Sequence, residues 1–250
     1  MLANAFGGAA TSSRPSKNAS LETPKKPTTR TTAPTVAQPP DSEVATETML
    51  AISSEYSALG HLNHCPSGMY LTPSTESLLI WLGVLFVRQG YYASSVLRFR
   101  VTFPQDYPQQ PPAVSFTTDV FHPLVSQTDG AFALAPRFSP WMPKDHHVFD
   151  VLYWIKAAFK KPALDKLTER DCLNKEALRL YRESPSSFSA LALQTSGLSQ
   201  SPSALFDSDH PQMGGRSQGG VVFRQMAAVE LVKVRKEVGL PEPRDVPVPE

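Results

Sequence analysis

Between Pro104 and Pro143 the chain places eight prolines in forty residues. Each proline fixes φ and removes a backbone donor, so the stretch is closed to regular helix and to central strands. The same forty residues carry Tyr107, Phe116, Phe121, Phe132, Phe138 and Trp141, side chains that a solvated linker does not accumulate. The combination predicts an ordered, packed crossover. Elements on either side must supply the walls it packs against.

Upstream, four short runs read as strands: Met69–Leu71, Leu78–Val87, Val96–Phe103 and Ala113–Phe116, with Gln89-Gly90 marking the turn between the second and third. Short spacings imply an antiparallel meander. In the third run Leu97, Phe99, Val101 and Phe103 alternate with Arg98, Arg100 and Thr102, which sends one face to the core and the other to solvent. The longest apolar run, Leu78 to Val87, is ten residues, well short of the ~20 that cross a bilayer as a helix. A helix is expected to begin near Asp41 with Ser42 as its cap, presenting Val44, Met49, Ile52, Tyr56 and Leu59 as a stripe. Downstream, Val148, Val151, Leu152, Ile155 and Phe159 recur at helical steps over His147–Lys161, which Pro162 stops. A second short helix is expected over Lys175–Glu183, with Leu178 and Tyr181 inward. The fold class is therefore α+β: a four-stranded antiparallel meander with N-terminal and C-terminal helices, flanked by disordered tails.

Composition separates the core from its flanks. Residues 1–40 hold eleven Ser/Thr and six Pro with five basic side chains and one acidic, and are expected to be disordered. Pro15, Pro24 and Pro27 break the amphipathic helix that an organelle transit signal requires. The folded domain is expected over 41–185. Residues 186–220 read as a flexible Ser/Gln/Gly-rich linker with a helical turn or two at Phe188–Leu193. An amphipathic helix is expected over 221–238, with Phe223, Ala227, Leu231, Val234 and Val238 on one stripe, and a proline-rich tail over 239–250.

With 24 Lys+Arg against 23 Asp+Glu, the net charge of +1 gives no whole-molecule field for nucleic acid or anionic lipid. No nucleic-acid partner is expected. Two cysteines, Cys65 and Cys172, are too few for a disulfide framework, and the expected compartment is the cytoplasm. His61-x-x-His64-Cys65 has zinc-ligand spacing without a fourth ligand nearby, so no metal is expected. His146-His147 reads as a surface pair at a helix start. Gly214, Gly215, Gly219 and Gly220 lack the Lys-Ser/Thr ending of a phosphate loop. No cofactor is expected.

The run from Phe103 to Phe116 fits F-P-x-x-Y-P-x-x-P-P-x-V-x-F at every defined place. It resembles the signature of the ubiquitin-conjugating enzymes, and the order of elements is similar to theirs. The resemblance implies a His-Pro-Asn segment, a loop with the catalytic cysteine, and Trp-x-Pro eight residues after that cysteine. His122-Pro123-Leu124 stands at the first place and Trp141-Met142-Pro143 at the last. Counting back eight gives Ala133, and Gly130-Ala131-Phe132-Ala133-Leu134 resembles the family's G-x-I-C-L. Alanine offers no nucleophile at any pH. Leu124, at the asparagine's place, offers no donor to an oxyanion. A pseudoenzyme is therefore expected, with His122 bracing the loop. Cys65 and Cys172 fall outside the loop and are not expected to replace the nucleophile.

Three further runs, Leu78–Tyr92, Val120–Val125 and Leu173–Tyr181, are similar to the fused-toes, or AKT-interacting protein, family of inactive variants. That resemblance implies an adaptor joining a Hook-type coiled-coil protein and a Hook-interacting scaffold, linking early endosomes and vesicles to dynein. Membrane association would be indirect. Phe223, Ala227 and Leu231 are the expected partner contacts. The alternative expectation is a ubiquitin-binding variant that partners an active conjugating enzyme to direct chain synthesis.

Overall fold

The computed structural model describes residues 45–206 and 220–240. In chain order the elements are α1 (Thr46–Ala58), β1 (Met69–Pro73), β2 (Ile80–Phe86), β3 (Val96–Thr102), β4 (Ala113–Phe116), α2 (Val148–Ala158), α3 (Lys161–Leu164), α4 (Lys175–Glu183), α5 (Pro185–Leu198), α6 (Pro202–Phe206) and α7 (Ala228–Glu237). The strands form one antiparallel sheet in the order β1-β2-β3-β4. This is the α+β meander that the alternating pattern predicts. Among the described residues no helix is long and apolar enough to cross a membrane.

Register decides what each strand contributes. Leu71, Gly83, Phe99 and Phe116 lie opposite one another across the four strands. The ring of Phe99 and the side chain of Leu71 occupy the space beside Gly83, so a methyl group there would overlap both. Leu85, Leu97, Phe99, Val101, Val114 and Phe116 share one buried cluster with Val148, Val151, Leu152 and Ile155 of α2. Their burial supplies most of the stabilisation, at about 25 cal/mol per Å² of apolar surface. Pro162 does not simply stop α2, which ends at Ala158; it occupies the first turn of α3, where its missing N–H costs nothing.

Three expectations are corrected. The buried face of α1 is Thr48, Ile52 and Glu55, whereas Tyr56 is largely exposed and lies edge-on to Trp81. Thr48 donates to the Gln105 carbonyl at 2.8 Å, so polar groups take an inward face that the apolar stripe had assigned elsewhere. Ser42 and Val44, like residues 1–40, lie outside the described residues.

Secondly, the expected linker begins with a fourteen-residue helix, α5. Phe188 is fully buried between Tyr91 and Tyr181, with ring centroids 5.2 and 5.1 Å away. Ala192, Ser196 and Ser199 continue the same buried face. The serines bond to backbone: Ser196 Oγ to the Ala192 carbonyl at 2.7 Å, and Ser199 Oγ accepting from Val96 N–H at 3.0 Å. Residues 207–219 of that linker, and 241–250 of the proline-rich tail, lie outside the described residues.

Thirdly, the expected helix over 221–238 is helical only from Ala228, and residues 220–227 form no regular element. That segment lies over the outer face of the sheet. Arg98 donates to the Val221 carbonyl at 3.0 Å and its guanidinium sits 4.9 Å from the Phe223 ring centre, a cation–π contact, while Phe223 also meets Phe86 edge-on. Part of the face expected to be solvated is therefore covered.

A buried carboxylate ties the first helix to the rest. Glu55 accepts from the Tyr107 hydroxyl at 2.9 Å, from Val148 N–H at 3.0 Å, and faces His147 Nδ1 at 3.0 Å. Burial, followed by the Glu55 charge, holds the Tyr107 hydroxyl far above its ordinary pKa, so it remains a donor at any physiological pH. Replacing Glu55 with alanine is expected to lower stability by about 2–4 kcal/mol, because two buried donors lose their acceptor. Glu55→Gln should cost less. Urea denaturation at neutral pH measures both.

Candidate functional site

The crossover between β4 and α2 carries the residues that the sequence singles out. Phe132 N–H donates to the Val114 carbonyl at 2.8 Å, which fastens the loop to the sheet edge. One residue on, Ala133 N–H donates to the Leu124 carbonyl at 2.9 Å, so positions 133 and 124 are neighbours although eight residues separate them. The Ala133 carbonyl accepts from the Trp154 indole N–H of α2 at 3.2 Å. Further along, Trp141 donates to the Pro108 carbonyl at 2.8 Å, joining the two proline-rich runs. Gly130 has φ +70°, and the Phe116 carbonyl oxygen occupies the space its Cβ would need, so only glycine fits this approach to the loop.

His122 is fully buried and its bonds fix its tautomer. Leu124 N–H donates to Nδ1 at 3.0 Å, so Nδ1 is the acceptor; Nε2 therefore carries the proton and donates to the Ala158 carbonyl at 3.1 Å. The ring braces the loop against the end of α2, as the sequence reading expected. Pro123 contributes its carbonyl, which accepts from Asn174 N–H at 2.9 Å at the start of α4. Leu124 is fully buried within the core cluster. Its side chain is apolar and carries no hydrogen-bond donor.

Neither thiol is activated. Burial pushes the Cys65 thiol up and raises Cys172, also facing Asp171, to about 11. Both stay protonated near neutrality and are free. Cys65 donates to the Met69 carbonyl and Cys172 to the Thr168 carbonyl. The His61 and His64 rings lie 5.5 Å apart, with His64 stacked on Phe149, and among the described residues no group of three or more His, Cys, Asp or Glu is placed to hold a metal. His146 and His147 are more than a surface pair: His146 Nδ1 accepts from Met142 N–H at 3.0 Å and packs on Trp141, while His147 N–H donates to Asp150.

Phe223, Ala227 and Leu231 do not share a helix face. Phe223 is held on the sheet, Ala227 is the residue preceding α7, and only Leu231 lies within it, exposed. The sequence reading missed Glu55 and Trp154, whose partners lie far away in the chain, and Asn174, whose side chain caps α4 by accepting from Ala177 N–H, a local signal.

Residues 51–195 match the ubiquitin-conjugating enzyme family, and the chain belongs to that family. Among curated relatives it is 33% identical over 144 residues to the "Protein crossbronx homolog" of Anopheles gambiae, covering 55% of this chain and 63% of that protein. It is 37% identical over 115 residues to the "AKT-interacting protein" of Danio rerio, covering 46% and 38%. To the "Protein AKTIP homolog" of Nematostella vectensis it is 32% identical over 133 residues, covering 51% and 43%. Within the family it stands with the fused-toes group that these relatives represent. The chain spans less than two thirds of the length of each.

The His122 ring sets a pH dependence. Burial lowers its pKa from 6.5 to about 4, with the Ala158 carbonyl opposing. The unfolded chain takes up the proton near pH 6.5 and the folded chain only near 4, so this contribution is complete above 6.5 and is lost as pH falls towards 4. The full loss is about 3 kcal/mol. His122→Asn keeps an acceptor without the titration, and its urea midpoint should vary less over that window than the parent's.

Proposed function

We propose that the chain is a non-catalytic adaptor built on a conjugating-enzyme scaffold. The reading is carried by Ala133: by the spacing from Gly130 and Trp141 a methyl group takes the family nucleophile's place, its N–H bonded to the Leu124 carbonyl and its carbonyl to the Trp154 indole. It is supported by Leu124, which brings no donor, and by two thiols that remain protonated. The relatives named as AKT-interacting proteins support a role exercised through protein partners. By the fused-toes resemblance, the partners are a Hook-type coiled-coil protein and a Hook-interacting scaffold, and the outcome is attachment of early endosomes and vesicles to dynein. The chain then acts in the cytoplasm and meets membranes through those partners.

The docking element in this reading is α7, whose Val229, Leu231 and Val232 are exposed. Exposed aliphatic side chains on a helix are what a coiled-coil partner would cover.

Incubation with ubiquitin-activating enzyme, ATP and ubiquitin should give no adduct reversed by thiol. Co-purification with a Hook-type coiled coil should be stable, and Leu231→Asp should weaken it by about tenfold or more. A thiol-reversible adduct would overturn the reading. Chain synthesis on adding an active conjugating enzyme, without coiled-coil binding, would favour the ubiquitin-handling alternative.

A further inference from the structure

The turn after β2 and the carboxyl end of α2 come together around a cavity of about 510 Å³. Arg88 reaches it from the hairpin, and Lys156, Lys160 and Lys161 from the end of α2 and the start of α3. Its wall includes the buried side chains of Leu85 and Phe159. No carboxylate is among the lining residues. Lys161 is paired with Asp165 at 2.9 Å, but among the described residues no carboxylate pairs with Arg88, Lys156 or Lys160. Lys156 Nζ is held over the cavity by the Ser67 carbonyl at 2.6 Å.

Cations gathered round a concave, partly apolar wall repel one another, and an anion that enters relieves that repulsion. Partial burial, then the charges of Lys160 and Arg88, hold the Lys156 ammonium below its ordinary pKa. Arg88 and the lysines are nearly seventy residues apart in a chain whose net charge is +1, so the fold creates a local field that the composition does not. The shape discriminates among anions. A nucleic-acid strand needs a stripe of cations along an open groove, whereas these converge on one compartment large enough for a six-membered ring bearing phosphates. A second cavity of about 430 Å³ shares Phe86, Val87 and Arg88 and carries no further Lys or Arg, leaving Arg88 as the basic residue common to both.

We propose that the cavity between the β2–β3 hairpin and the end of α2 binds a compact polyphosphorylated group of the inositol phosphate class. Arg88 provides a bidentate phosphate contact, Lys156 and Lys160 provide point charges, and the apolar wall takes the ring face. The same group occurs free in solution and as a lipid headgroup. This site does not depend on the adaptor reading.

The test uses the full chain, with inositol trisphosphate in calorimetry and, separately, phosphatidylcholine vesicles with and without a phosphatidylinositol bisphosphate. One-to-one binding is expected, weakening as salt is raised. Arg88→Gln and Lys160→Gln, both at exposed positions, should each reduce affinity about tenfold with unchanged thermal stability. Lys166→Gln, an exposed cation outside the cavity, should leave affinity unaltered. Sedimentation only with the phosphoinositide vesicles, sensitive to Arg88→Gln, identifies the headgroup as the source; calorimetric binding without vesicle binding identifies the free compound. Either supports the site. No binding of either probe overturns it, as does binding that Arg88→Gln and Lys160→Gln leave intact or that Lys166→Gln weakens equally.

Discussion

The Glu55 carboxylate is where three separately encoded parts of the molecule meet. Its two oxygens face the Tyr107 hydroxyl, the His147 ring and the first N–H of α2. Removing a carboxylate from water costs several kcal/mol unless its lone pairs are occupied, so the group stabilises only when all its partners are in place. The proline-rich run therefore arrives at α1 and α2 with its orientation set. From Tyr107 the constraint passes through Phe103 to Trp81, with ring centres 4.9 and 4.8 Å apart.

A second buried polar group, His122, does for the loop what Glu55 does for the helices. One ring nitrogen serves the Leu124 N–H and the other the Ala158 carbonyl. The ring must remain neutral to do both, and burial keeps it so. The two groups act on opposite ends of α2, His147–Val148 at its start and Ala158 at its close. Between them Trp154 reaches back to the Ala133 carbonyl.

Much of this fold was legible in the residues. Alternation in β3 assigns Leu97, Phe99, Val101 and Phe103 to the interior, where they lie. The helical spacing of Val148, Val151, Leu152 and Ile155 likewise names the buried face of α2. The pairing of Ala133 with Leu124 through the loop backbone, by contrast, is visible only in the fold. Two helices were misread for one physical reason: serine, threonine and glutamate on inward faces look like solvent-facing residues. Thr48 and Glu55 concealed the true face of α1, and Ser196 and Ser199 concealed α5. The irregular course of residues 220–227 was hidden differently, since Phe223 owes its position to Arg98 and Phe86, far away in the chain.

Position 133 takes part in the loop through its peptide groups, N–H to Leu124 and C=O from Trp154, and its side chain joins neither bond. The main-chain groups and the side chain of this residue thus have separate tasks: the first hold the loop to Leu124 and Trp154, and the second packs against the core.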